Sequence, residues 1–218
     1  MAPLRASPNR AAGVRVSAET CPHYLVLTEE RYDDPDPVSC ACFVISPPLR
    51  SPADRDALWA GLADGSLDLI ATDHVADRVG VEKAEAGAGV SFDQISNGAP
   101  GIETLLAIVY SEGVATGRIT LERMVDLLAT TPARRFGLAT KGAIEVGRDA
   151  DVVLFDPVAR RTIRAADLHH TSDYTPYEGL EVTGVVRSVF VRGRPLVIDG
   201  AFVGRRGFGH FVERVGVA

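Results

Sequence analysis

The run Ser51-Pro52-Ala53-Asp54 constrains the fold more than any other part of the chain, because it starts a helix between segments that read as strands. Ser51 is an N-cap, Pro52 suits the first helical position, where its missing N–H costs nothing, and Asp54 completes a capping-box pattern. Leu58, Trp59 and Leu62 supply the apolar face, and Gly65 stands where a left-handed residue ends a helix. Beyond it, Leu67-Asp68-Leu69-Ile70-Ala71-Thr72 reads as a strand that ends at Asp73-His74. Before it, Asp33-Asp34-Pro35-Asp36-Pro37 is loop chemistry, and Cys42-Phe43-Val44-Ile45 reads as a short strand halted by Ser46-Pro47-Pro48. Further upstream, Val14 to Glu19 alternates apolar with polar until Cys21-Pro22-His23 breaks the pattern. Strand, helix, strand is the signature of a parallel sheet, so the expected fold class is α/β.

Residues 75–101 have many Gly and Ala and little periodicity, which predicts a long loop of the kind that is usually functional or mobile. Helical spacing resumes at Ile102, Leu105, Leu106 and Val109, and again at Leu121, Met124, Val125 and Leu128 behind the cap Thr120. Thr131-Pro132 starts a last short helix that ends at Gly137. Past Gly142 the texture changes to short strands with turn residues between them: Asp151–Asp156, Thr162–Arg164, Val185–Val191 and Pro195–Ile198. We therefore expect a boundary near residues 138–145, giving a first unit over 1–140, a mostly β unit over 141–203 and an irregular extension over 204–218.

Composition narrows the partners. With 46% hydrophobic and 24% charged residues over 218 positions, the chain can bury one sizeable core or two small ones. A formal net charge of −6 and scattered arginines offer no basic stripe to phosphates, so nucleic acid is not expected. No apolar run approaches the ~20 residues that span a bilayer, and Met1–Arg10 lacks the apolar stretch of a secretory signal. The expectation is a cytoplasmic protein without membrane contact. The three cysteines, Cys21, Cys40 and Cys42, have no disulfide-framework spacing. With His23 they fall short of a zinc knuckle, because no second C-x-x-C or His pair completes one.

Three of the expected strand ends carry polar residues: Glu19–His23, Ser46-Pro47-Pro48 and Thr72-Asp73-His74. In parallel α/β folds the loops after the strands converge at that end, and a histidine with a carboxylate placed there suits a divalent metal. The same residues also serve as loop caps and turn formers, and two ligands do not make a site.

A resemblance sharpens the choice. The runs Glu19-Thr20-Cys21-Pro22-His23-Tyr24-Leu25, Ser46-Pro47-Pro48-Leu49-Arg50, Thr72-Asp73-His74 and Ser96-Asn97-Gly98-Ala99-Pro100-Gly101-Ile102-Glu103 occur in this order. Ser111-Glu112-Gly113-Val114, Gly147-Arg148-Asp149-Ala150-Asp151 and Tyr177-Glu178-Gly179 continue the series over nearly the whole chain. Together they resemble the hydantoinases and dihydropyrimidinases. Each motif alone is weak; their collinear order is not.

The resemblance implies a (β/α)8 TIM barrel with a binuclear divalent metal centre, zinc in the first place, and a small β-sandwich beside it. It implies that this chain holds about strands six to eight of the barrel, followed by the sandwich. By that match His23 is the sixth-strand metal ligand, Asp73 is the eighth-strand ligand and proton shuttle, and Ser46 and Asn97 hold the cyclic amide through main-chain groups. The implied reaction is hydrolysis of the C–N bond in hydantoins and dihydropyrimidines to N-carbamoyl amino acids. Allantoinases, dihydroorotases and non-catalytic scaffold relatives share parts of the pattern. A full barrel takes roughly 250 residues, and the family's His-x-His pair and bridging lysine have no counterpart here. The only lysines are Lys83, in the long loop, and Lys141, at the boundary. Little activity is therefore expected of the chain alone, as a truncated product or one completed by a second, N-terminal chain; complete relatives are homo-oligomers. His74 beside Asp73 reads equally as a hydrogen-bonding residue and as a loop histidine with no ligand role, and the pair His169-His170 reads as surface or packing residues.

Overall fold

The computed structural model describes residues 12–14 and 16–216. Met1–Arg10, read above for a leader, and Arg15, within the first alternating stretch, lie outside the described residues. The α/β expectation holds: strand β1 (Glu19–Thr20) pairs in parallel with β2 (Leu69–Ile70), with Glu19 opposite Leu69 and Thr20 opposite Ile70. Parallel neighbours need a crossover, and the chain supplies one through helices α1 (Pro22–Val26), α2 (Pro37–Ala41) and α3 (Pro52–Asp64).

Helix α3 forms for the reasons its sequence implies. The Ser51 Oγ accepts from the Asp54 N–H, the Asp54 carboxylate accepts from the Ser51 N–H at 3.2 Å, and Gly65 closes the helix at φ +84°. One core cluster gathers Trp59 and Leu62 of α3 with Leu25 of α1, Leu67, Ile70 of β2 and Leu127. The Trp59 indole N–H donates to the Leu25 carbonyl at 3.0 Å, so the crossover is tied back onto α1 inside that core.

One expectation is corrected. Cys42–Ile45 is not a strand: the chain before it forms α2, with Asp36 accepting from the Val38 and Ser39 N–H groups and Pro37 at the first helical position. The loop-like Asp36-Pro37 is thus a helix start. Because β1 and β2 are hydrogen-bonded neighbours, no strand lies between them, and this region holds two adjacent parallel strands rather than three. Among the described residues the β unit is one four-stranded antiparallel sheet, ordered β3 (Val152–Thr162), β4 (Glu181–Val191), β5 (Arg194–Ile198), β6 (Ala201–Phe202).

Helices α4 (Leu105–Val109), α5 (Leu121–Val125) and α6 (Thr131–Arg135) link the two regions, with wide π turns at Tyr110–Val114 and Asp126–Thr130. A second core cluster joins Ile45, Leu49, Ala99 and Ile108 to Ile163, Tyr177 and Val182 of the sheet region. The sheet therefore buttresses the loops that carry Ser46 and Asn97. No helix among the described residues is long and apolar enough to cross a membrane.

The tightest point of this docking is Gly184 in β4. Its φ is +100°, and a Cβ there would lie 2.3 Å from Phe155 Cζ and 2.7 Å from Tyr110 Cδ1, two rings that meet edge to face with centroids 4.8 Å apart. The Ser111 hydroxyl accepts from the neighbouring Thr183 N–H at 3.1 Å. Both steric overlap and the left-handed backbone oppose a side chain here. Gly184→Ala should lower stability by roughly 1–3 kcal/mol, read as a fall in the urea midpoint at unchanged m-value; an unchanged midpoint would show that the two layers are not closely packed there.

Candidate active site

The β1–β2 pairing sets the C-terminal ends of both strands side by side. From β1 the chain runs through Cys21 into α1; from β2 it runs through Thr72 to Asp73, whose backbone adopts φ +45°. Asp73 is exposed and lines a cleft of about 500 Å3 with Thr20, Cys21, Tyr24, Ser46 and Arg50. The Tyr24 hydroxyl donates to the Pro47 carbonyl at 2.7 Å, which tethers the segment after Ser46 to the cleft wall. Burial, then the charges of Asp73 and Glu19, push the Cys21 thiol up to about 12, so it stays protonated and is an inert part of the wall.

Asn97 comes to this region by main-chain stitching on two sides. The Gly98 N–H donates to the Val44 carbonyl at 3.0 Å, and the Val75 N–H donates to the Ala99 carbonyl at 3.1 Å. A Cβ on Gly98 would lie 2.3 Å from Val75 Cγ2, so only glycine allows this approach. The strip 97–101 thus lies between the Ser46 segment and the end of β2. Ser46 and Asn97 share a wall of a second, largely apolar cleft of about 700 Å3 that also includes Tyr32, Val44, Phe92 and Ile95. Ser46 borders both clefts, whereas Asp73 borders only the first and Asn97 only the second.

His23, expected as a metal ligand, stands elsewhere. It is the second residue of α1, 3% exposed, lines neither cleft, and its Nε2 is buried without a hydrogen-bond partner. Desolvation lowers its pKa to about 4, against a smaller opposing pull from Asp73, so the ring is neutral near pH 7. The direct β1–β2 pairing also matters for its assignment. If Asp73 follows strand eight, His23 follows strand seven, one strand later than the sixth-strand position expected for it.

Two residues have parts that the sequence did not reveal. His74, weighed as a hydrogen-bonding candidate, accepts through Nδ1 from the Gly101 N–H at 3.0 Å and the Ile102 N–H at 3.3 Å, so it anchors the 97–101 strip to β2 and leaves Nε2 as the protonated nitrogen. Burial and the nearby His170 ring lower its pKa. Lys83, read only as a loop lysine, is fully buried below Asn97 and bonds to its neighbours. No periodicity flags it. The one available hint was that an otherwise lysine-poor chain keeps a lysine in a Gly- and Ala-rich loop.

A model of the amidohydrolase family matches residues 10–196. The D-phenylhydantoinase of Escherichia coli K12 is 41% identical over 210 residues, which cover 94% of this chain and 44% of that protein. Among solved structures, a dihydropyrimidinase from Brevibacillus agri superposes with a TM-score of 0.93 at 41% identity, covering 97% of this chain and 46% of the other. The D-hydantoinase from Bacillus sp. AR9 gives a TM-score of 0.91 at 44% identity and covers 95% of this chain. The chain therefore spans somewhat under half the length of the relatives it matches.

The buried neutral His23 has a consequence for acid stability. Its ordinary value of 6.5 applies in the unfolded chain and about 4 in the folded one, so between these pH values the unfolded state binds more protons. The contribution is intact above pH 6.5 and is lost as pH falls towards about 4, on the order of 3 kcal/mol. His23→Gln should flatten the stability profile in that window, measured by urea unfolding at a series of pH values; a slope unchanged by the substitution would show that another group carries it.

Proposed function

The chain belongs to the amidohydrolase family, and from that premise we propose that it is the C-terminal part of a cyclic-amide hydrolase for hydantoin or dihydropyrimidine rings. The observation that carries this reading is the meeting of Asp73 and Ser46 in one cleft at the ends of parallel strands, with the Asn97 main chain drawn alongside. The names of the relatives, D-phenylhydantoinase and dihydropyrimidinase, support the ring type. In this reading residues 1–140 hold the last barrel strands, seven and eight, and 141–203 with the extension 204–218 form one side of a sandwich whose facing strands come from outside these residues.

The divalent metal implied by the family, zinc in our reading, needs three or four protein donors. Asp73 is one. Among the described residues no group of three or more His, Cys, Asp or Glu side chains is arranged to hold an ion, and His23 is sealed in the core. These residues therefore do not fit a metal centre by themselves.

What the chain supplies is recognition and proton transfer. The main-chain groups at Ser46 and Asn97 hold the –NH–C(=O)– edge of the ring, which fixes the angle at which water meets the amide carbon. Asp73 takes a proton from that water and returns it to the ring nitrogen as the C–N bond breaks, leaving an N-carbamoyl amino acid. His23 acts as a core residue. The complete assembly brings the remaining donors on another stretch of polypeptide and is a homo-oligomer.

The test is hydrolysis of hydantoin and dihydrouracil by the chain alone and assembled with a polypeptide that carries the missing donors. Turnover is expected in the assembly only, and Asp73→Asn should lower kcat/KM by at least about 10²-fold while circular dichroism and assembly are unchanged. An assembly that hydrolyses neither ring, or a fully active Asp73→Asn variant, would refute the reading.

A further inference from the structure

Lys83 has no exposed surface, yet its ammonium is not idle. Its Nζ donates to the Ser96 carbonyl at 2.5 Å and to the Gly98 carbonyl at 3.0 Å, and lies 3.4 Å from the buried carboxylate of Asp77. An ammonium has three N–H groups and no acceptor, so two hydrogen bonds to carbonyls together with the ion pair to Asp77 fix its direction. Both hydrogen bonds go to the carbonyls on either side of Asn97.

The other groups around Asn97 are engaged as well. Its side-chain amide donates to the Ile95 carbonyl at 3.2 Å, and the Gly98 N–H donates to Val44 at 3.0 Å. The Tyr174 hydroxyl donates to the Gly98 carbonyl at 3.3 Å. Among the described residues, the main-chain N–H and C=O of Asn97 are left without a partner. A donor and an acceptor on one residue, with the flanking peptide groups pinned, match the paired C=O and N–H of a cyclic amide edge.

We propose that Lys83 is a positioning residue for ring binding: by holding the carbonyls of Ser96 and Gly98 it keeps the Asn97 main chain oriented for the substrate. The inference rests on the function proposed above. It also explains why a loop with little regular structure keeps a buried cation. Desolvation lowers the Lys83 pKa, with Asp77 as the main opposing influence. Asp77 is itself only 5% exposed, so the pair keeps the loop interior free of net charge.

Removing Lys83 alone strands the Asp77 carboxylate, so the informative variant is Lys83→Met/Asp77→Asn, which removes both charges; Lys83→Arg is the conservative control. In the full chain, hydrogen–deuterium exchange over residues 95–101 should rise at least 10-fold in the double variant, with β3 and β4 unchanged. In the hydrolytically competent assembly, KM for dihydrouracil should rise at least 10-fold with a smaller change in kcat, and Lys83→Arg should recover part of the loss. Unchanged exchange over 95–101 overturns the proposal, and so does a loosened loop with unaltered KM. An assembly whose wild type hydrolyses no ring overturns the hydrolase reading instead, and the exchange measurement still decides whether Lys83 clamps the loop.

Discussion

The short parallel ladder between Glu19–Thr20 and Leu69–Ile70 is the constraint on which the rest of the structure depends. It has only two residue pairs, extended by the Asp68 N–H on Ala18 and the Ala71 N–H on Thr20, at 2.8 and 2.9 Å. The Ala18 N–H donates in turn to the Asp68 carboxylate at 2.8 Å. A parallel pair cannot be closed by a tight turn, so everything from Cys21 to Gly65 is obliged to form a crossover and to bury its apolar face against the ladder. Leu25, Trp59, Leu62 and Leu67 do so, all 3% exposed or less. Both strands must then end on the same side, and that alone brings Asp73 beside Cys21 and Tyr24.

Local chemistry made some of this legible in the sequence. Ser51, Pro52, Asp54 and Gly65 act through bonds within a few residues of themselves, and each does what its type implies. Thr120 caps α5 through the Arg123 N–H for the same reason. Cys42–Ile45 was misread because four apolar residues before a Ser-Pro-Pro stop fit a strand and a buried helix-to-loop passage equally well. The deciding signal was Asp36-Pro37, a helix start placed inside a run of loop-forming residues. The strand count followed that error, and with it the barrel position given to His23.

The site divides along the same line. Asp73 and the segments around Ser46 and Asn97 are recognisable as motifs because their backbone needs particular residues, above all the glycine at 98 that meets Val75. The residues that hold those segments act at a distance in sequence: Tyr24 on Pro47, His74 on Gly101, Lys83 on Ser96. No spacing rule connects them, since loops place them and not a helical or strand period. His23 shows the converse case. Its neighbours Cys21 and Pro22 mark a strand end, which looks like a site, but Pro22 opens a helix that turns the next residue into the core.

The backbone at Asp73 bears on what the chain is for. A non-glycine residue at φ +45° occupies the left-handed region at a cost of roughly 1–2 kcal/mol. Asparagine or glycine would tolerate the turn more readily, and the next residue, His74, already secures the strip through its own ring. Asp73 is exposed and lines the cleft at the end of β2. An exposed carboxylate next to two peptide segments pinned by buried partners is what the proposed function assigns to proton handling beside a ring held by backbone. On the proposed function, recognition and proton transfer would reside on this stretch of polypeptide and the further metal donors on another.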